Sequence, residues 1–290
     1  MNALALQNQL ALKLGCNPAG KTVLQHRYMA YPLSVSPVFR LEEGTESASQ
    51  RAYLYRMNTS PGLLAGDTIG ISLQLAAGSQ LYLADQSATK VHTMPQRETA
   101  ADVNYSIDIG EQATLEFLPE PLILFTDAAL VQKTEITIHS TAGLSLGEIV
   151  LPGRLARGER YQFRHYLSRL RVRSPEGQVW FAEAMNLLGK ENRFADSPLF
   201  TSGSVLGSLI LILPEAIATP TTLTALASEI DALTEVSHAA VSLASSPLPG
   251  GRGLFIRAIS TTTRDLQSCF KAALNCVRKL QNQAPLPYSL

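Results

Sequence analysis

Charge is scarce in this 290-residue chain: Asp, Glu, Lys and Arg make up 17% of it, against roughly 25% in an average soluble protein. The 24 basic and 24 acidic residues cancel, so there is no basic field to draw nucleic acid, and nucleic-acid binding is not expected. So thin a charge cover suits a protein with large buried interfaces. Cysteine is also nearly missing. Cys16, Cys269 and Cys276 are odd in number and far apart, which makes no disulfide framework and points to a reducing compartment, by default the cytoplasm. Long apolar runs are absent, since Val205 to Leu213 falls far short of the ~20 residues that span a bilayer. Asn2, Gln7, Asn8 and Gln9 interrupt Met1 to Leu14 and no basic stretch precedes it, so neither a signal peptide nor membrane association is expected. The histidines His26, His92, His139, His165 and His238 are scattered, with no pair at the short spacing of a zinc site.

What the chain does have is alternation. Ile69, Ile71, Leu73 and Leu75 share one face, Ala77-Gly78 turns the chain, and Leu81 and Leu83 resume the pattern before Asp85, Gln86, Ser87, Thr89 and Lys90 arrive together. Val103 to Ile109, Gly110 and Ala113 to Phe117 repeat it, as do Ile136, Ile138, Gly143, Leu144 and Leu146. The turn glycines Gly78, Gly110 and Gly143 are 32 and 33 residues apart, which predicts stacked units over a shared core. A fourth hairpin is predicted from Tyr161 to Phe181, turning at Ser174 to Gly177.

After Pro220 the period changes. Leu223, Leu226, Ile230 and Leu233 predict a helix over Thr221 to Glu235, with Thr221 or Thr222 as its cap; Leu266, Phe270, Leu274, Val277 and Leu280 predict another over Thr263 to Gln281. Ala239 to Ala244 and Gly253 to Ile259 read as strands. The expectation is a mainly β fold of stacked hairpins, solenoid- or sandwich-like, with two α-helices in the C-terminal third. One domain over 1–290 is expected, β-rich over 20–215 and mixed over 216–284.

Gly15 to Thr22, GCNPAGKT, satisfies the pattern of a phosphate-binding loop, and Leu122 to Asp127 imitates its acidic partner strand. A working loop needs a helix whose N-terminal amides hold the phosphates. Val23 to Tyr31 carries no apolar stripe and Pro32 follows, so a nucleotide hydrolase stays only as an alternative, beside a β-sandwich ligand-binding module. Cys269 and Cys276 lie two helical turns apart, too far for a shared ion. Polar residues gather in three places: Gly66-Asp67 with Asp85 to Lys90; Glu116, Glu120 and Asp127; and Glu148 to Glu159, where Arg154 and Arg157 can fork onto carboxylates.

Taken in order, PGLLAGDTIGISLQLAAGSQLYLADQSATKV, ATLEFLPEPLILFTDA, GEIVLPGRLARGE, RVRSPEGQVWFAEA and GLFIRAIS resemble the urease accessory protein D family, UreD or UreH. The resemblance runs from about Pro32 to Leu280. Ala65 stands where the family commonly has glycine, and the tail PLPYSL lacks its usual basic and tryptophan residues. The resemblance implies a non-catalytic scaffold, a chaperone of nickel insertion that binds apo-urease and UreF and meets the GTPase UreG through UreF. No tightly bound cofactor is implied, only nickel in transit. Asp67, Glu148 and Glu159 are the residues expected along a transit path. Gln86, Lys90, Glu120, Asp127 and Arg154 are the other polar positions that correspond to the family's motifs.

Overall fold

The computed structural model describes residues 8–42, 50–192, 194, 197–201, 203–236 and 241–287. β1 (Asn8–Cys16) and β2 (Thr22–Met29) pair antiparallel, and Leu10, Leu12 and Leu14 of β1 enter the core. Here the nucleotide-hydrolase alternative fails, because Gly15 to Thr22 is the turn of this hairpin and a strand follows it. Asn17 Oδ1 accepts the N–H groups of Ala19 and Lys21 at 3.0 and 2.9 Å, and the Asn17 carbonyl accepts that of Gly20 at 2.9 Å. Amides that would cradle a phosphate are already bonded inside the turn. β3 (Leu33–Val35) and β4 (Ala52–Asn58) form the next antiparallel pair.

The repeating units come next: β5 (Thr68–Leu75) with β6 (Gln80–Asp85), then β7 (Thr89–Val91); β8 (Ala101–Ile109) with β9 (Thr114–Leu118), then β10 (Leu122–Leu124); and β11 (Ala129–Ile138) with β12 (Gly143–Leu151). The units are stacked, as their glycine spacing predicts, but they are arches rather than hairpins. β5, β8 and β11 lie side by side in a seven-stranded sheet, while β6, β9 and β12 lie in a ten-stranded one. Each strand pairs in parallel with its counterpart one arch away, so that Ile71 stands beside Tyr105 and Tyr105 beside Thr134. Alternation marks one buried face without naming the hydrogen-bond partner, and a loop of four residues suits a hairpin or an arch. Backbone bonds tie the turns together: Gly78 N–H donates to the Glu111 carbonyl at 2.8 Å and Gly143 N–H to that of Ala113 at 2.9 Å.

β13 (His165–Arg173) and β14 (Val179–Leu187) are the predicted fourth hairpin and extend the seven-stranded sheet from β11. After the short α1 (Pro198–Thr201), β15 (Val205–Ile212) joins β12 antiparallel. The first predicted helix is split into α2 (Pro220–Asp231) and a single turn, α3 (Leu233–Val236). Its cap is Thr219 rather than Thr221 or Thr222: Thr219 Oγ1 accepts the Thr222 N–H at 3.2 Å, and Pro220 fills the first helical position, where no N–H is needed. β16 (Val241–Pro247) and β17 (Gly253–Ser260) complete the ten-stranded sheet, and α4 (Thr263–Leu280) ends the fold, capped by Thr262. Ala239 and Ala240 of the expected strand lie outside the described residues.

The two sheets face each other across one apolar interior, with Leu12, Leu73, Ile107 and Ile136 on one side and Leu54, Leu83, Phe117 and Leu144 on the other. α2 and α4 cover the outer face of the larger sheet over Leu209, Leu211 and Ile256. The strands β12 and β15 are therefore buried on both faces. Gly207 of β15 lets α4 sit close, since a Cβ there would stand 2.8 Å from Phe270 Cζ and 3.3 Å from Leu266 Cδ1. Gly207→Val is expected to lower stability in urea by about 1–3 kcal/mol. An unchanged unfolding midpoint would contradict that seating.

Candidate functional site

The space between the sheets is apolar at the arch turns and becomes polar away from them. Leu14, Leu75, Ile109 and Ile138 form one row across the seven-stranded sheet, but further along the same strands Tyr105 stands beside Thr134, and Gln132 beside Ser168. The opposing sheet contributes Arg56, Asp85, Glu148 and Ser208. Between them lies a cavity of about 120 Å³, room for several waters. From Asn58 on β4 to Phe255 on β17 its lining crosses six strands, about 24 Å at ~4.8 Å per strand.

Two of its carboxylates are matched by arginines. Arg56 forks onto Asp85, Nε to Oδ1 at 2.7 Å and Nη2 to Oδ2 at 2.8 Å, and its Nη1 donates to the Tyr105 hydroxyl at 2.6 Å. The guanidinium sits 5.6 Å from the ring centroids of both Tyr105 and Phe117. Burial works against its charge, but Asp85 and Tyr105 more than offset this and Arg56 stays cationic. Glu183, at the far side, pairs with Arg257.

Glu148 differs, because its contacts are neutral. Gln132 Nε2 and the Tyr166 hydroxyl both donate to its Oε1, at 2.7 and 2.5 Å. Burial pushes its carboxyl up from the ordinary value, opposed in part by these two hydrogen bonds and by the Arg257 charge. Glu120 accepts from Gln267 of α4 at 2.9 Å and lines both this cavity and a second one of about 60 Å³ beneath α4.

The other motif residues gather at one end of the stack, where the connectors re-enter the seven-stranded sheet. Asp67 Oδ2 accepts the Leu64 N–H at 2.8 Å and its carbonyl accepts the Asp102 N–H, which makes it a turn-fixing residue. Gln86 and Lys90 are exposed on the neighbouring connector. Asp127, in the left-handed region at φ 59°, meets Lys190 at 2.6 Å. Arg154 pairs with Glu159 and lies 4.3 Å from the Phe125 ring centroid; the hydrogen bond with Arg154 holds the Glu159 carboxyl below its ordinary value. Of Asp67, Glu148 and Glu159, the structure places only Glu148 on the cavity wall. The motif segments thus do meet in space, but mostly as cross-braced loops around one end.

Sequence reasoning missed Arg56, Tyr105, Gln132 and Tyr166. Their signal was available: each occupies an inward position of a strand that also sends apolar residues inward. A buried charge cluster behind the larger sheet was missed too. Arg278 of α4 reaches Glu116 (Nε to Oε1, 3.0 Å) and Glu42 (Nη1 to Oε1, 3.1 Å), while Arg51 reaches Glu116 at 3.2 Å and Glu42 at 3.3 Å. It clamps the end of α4 to the sheet.

Among the described residues no three His, Cys, Asp or Glu are arranged to hold a metal ion, and no helix is long and apolar enough to cross a membrane. Cys269 and Cys276 are buried, and burial pushes the Cys269 thiol up to about 11. The cavity therefore offers oxygen and amide groups, with its thiols elsewhere.

The family model described as UreD urease accessory protein matches residues 7–289. A urease accessory protein UreD of Trichodesmium erythraeum is 45% identical over 281 residues, covering 97% of this chain and 98% of its own. That of Haloarcula marismortui is 29% identical over 277 residues, covering 93% of this chain and 85% of its own. That of Lysinibacillus sphaericus is 32% identical over 195 residues, 67% of this chain and 70% of its own. With a family match over nearly its whole length, set on a two-sheet stack whose motif loops converge at one end, the chain belongs to the UreD urease accessory protein family, which acts in urease maturation.

Proposed function

We propose that the protein is a non-catalytic, cytoplasmic scaffold that binds apo-urease and UreF, meets UreG through UreF, and conveys nickel through its inter-sheet cavity to the urease active site. The observation that carries this reading is a cavity crossing six strands that sets oxygen groups among its apolar lining, with every thiol outside its wall. A cargo ion must be released as readily as it is accepted. Weak oxygen ligands and waters allow that, whereas thiolate and imidazole sites hold divalent nickel tightly. Glu148, hydrogen-bonded to the neutral groups of Gln132 and Tyr166, is the wall carboxylate best able to greet a cation. Asp85 is already neutralised by Arg56, while Asp67 and Glu159 fix turns. The chain works as one unit in this reading, because β12 sends Val150 into the inter-sheet core and Ile149 into the core beneath the helices.

Tagged protein co-expressed with UreF and apo-urease is expected to elute with both. Elution alone at the concentrations of co-expression would overturn the scaffold reading. Replacing Cys16, Cys269 and Cys276 together by serine is expected to leave nickel-dependent activation largely intact, with some loss of packing stability at the two buried sites. A folded triple variant that binds its partners but activates nothing would contradict an oxygen-lined route.

A further inference from the structure

The larger sheet has a hole in it. β12 pairs with β9 as far as Leu146 beside Phe117, and with β10 only from Val150 beside Leu122 onward, so Gly147, Glu148 and Ile149 have no strand partner on that side. The chain that would supply one turns away at Pro119-Glu120-Pro121, and the prolines carry no N–H to bridge the gap. β6 follows β9 only to Ala84 beside Leu118 and then ends at Asp85. Asp85, Pro119, Glu120, Gly147, Glu148 and Ile149 therefore frame an opening, and these same six residues line both the inter-sheet cavity and the one beneath α4.

Glycine keeps the frame clear. A Cβ on Gly147 would stand 3.0 Å from Leu118 Cδ2 and 3.5 Å from Phe270 Cδ2. On the outer side, Gln267 and Phe270 of α4 lie over the opening, and Gln267 Nε2 donates to Glu120 Oε2 at 2.9 Å. We infer that the inter-sheet cavity has a mouth through this window onto the α4 face, with the Glu120–Gln267 contact as its closure. Of the three carboxylates on the frame, Asp85 is neutralised by Arg56, Glu148 accepts from Gln132 and Tyr166, and Glu120 accepts from Gln267, while Lys271 of α4 lines the outer side with them. Three carboxylates set against Arg56 and Lys271 leave the window with an excess of acidic groups, which suits a small cation better than an anion. That the cation is nickel rests on the function proposed above; the window itself does not.

Ser208 tests it. It stands beside Glu148 across the β12–β15 pairing and lines only the inner cavity. With Cys16, Cys269 and Cys276 replaced by serine, Ser208→Cys gives the full chain one reporter thiol, whose rate of modification by cationic 2-aminoethyl methanethiosulfonate can be followed. Gly147→Leu fills the window and is expected to slow modification about tenfold. Gln267→Ala, a mild change on a helix surface, removes the closure and is expected to speed it. Should Gly147→Leu fail to fold, Gln267→Ala decides alone. Unchanged rates in the folded variants would mean that the reagent enters elsewhere and would overturn this mouth. Variants that shift the thiol rate yet leave nickel-dependent urease activation untouched would uphold the window and overturn the nickel route.

Discussion

Arg278→Ala is expected to destabilise the fold by about 3–5 kcal/mol, a large share of the 5–15 kcal/mol that holds a typical domain together. Arg278 is 0% exposed and Arg51 1%, and between them they neutralise Glu42 and Glu116 beneath α4. Removing one arginine leaves two carboxylates facing a single cation where water cannot reach. Arg278 Nη2 also donates to the Tyr53 hydroxyl at 3.2 Å, and its Nη1 to the Ala284 carbonyl at 3.2 Å, so the alanine variant frees the C-terminal turn as well. Urea unfolding checks the size of the loss. If an orphaned charge is the cause, adding Glu116→Leu to Arg278→Met should recover most of it, since an apolar replacement of a whole buried pair is often neutral. Equal losses in the single and double variants would assign the effect to packing instead.

Arg278 also shows where the sequence was readable. It follows Phe270 and Leu274 at four-residue steps, on the apolar stripe of α4, where a charge requires a buried partner. Glu116 sits between Leu115 and Phe117 on a strand, so it points away from the inter-sheet core and looks solvated. Helix α4, which covers that second face, makes it buried, and nothing in the strand itself announces that cover. The arches follow the same logic: period-two alternation gave the buried face of β5, β8 and β11, and the glycine spacing gave their stacking. Which strand lies beside which is decided by partners some 30 residues away. Motif recognition found Glu148 and the braced loops of Asp127 and Arg154. It could not separate Glu148, turned into a cavity, from Asp67 and Glu159, turned onto their own loops, because that distinction lies in side-chain direction.

Glu148→Gln is expected to lower urease activation about tenfold or more while the protein folds and binds its partners, a loss of the size seen when a supporting group is removed from a metal site. The same change should stabilise the isolated chain at neutral pH. In the fold the Glu148 carboxyl is held above its ordinary value, so the native state binds that proton more tightly than the unfolded chain does. The group's contribution is fully present below the ordinary carboxylate range and is lost as pH rises through its value in the fold. At neutral pH it is therefore a cost that the amide does not carry. The amide oxygen can still accept from Tyr166 and Gln132. Unfolding in urea at neutral pH and near pH ~4 should show the variant's advantage shrinking on the acid side. A glutamine variant less stable than the parent at neutral pH would give Glu148 a structural role.

The nickel content of urease tests the route most directly. Urease would be purified after activation by complexes of matched composition that contain either the parent chain or Glu148→Gln, and the metal per active site measured by atomic emission. The account predicts urease with its nickel sites filled in the first case and largely empty in the second, with the same amount of scaffold bound in both. Equal nickel in the two preparations, with the variant folded and in complex, would contradict passage of the ion along the cavity wall at Glu148.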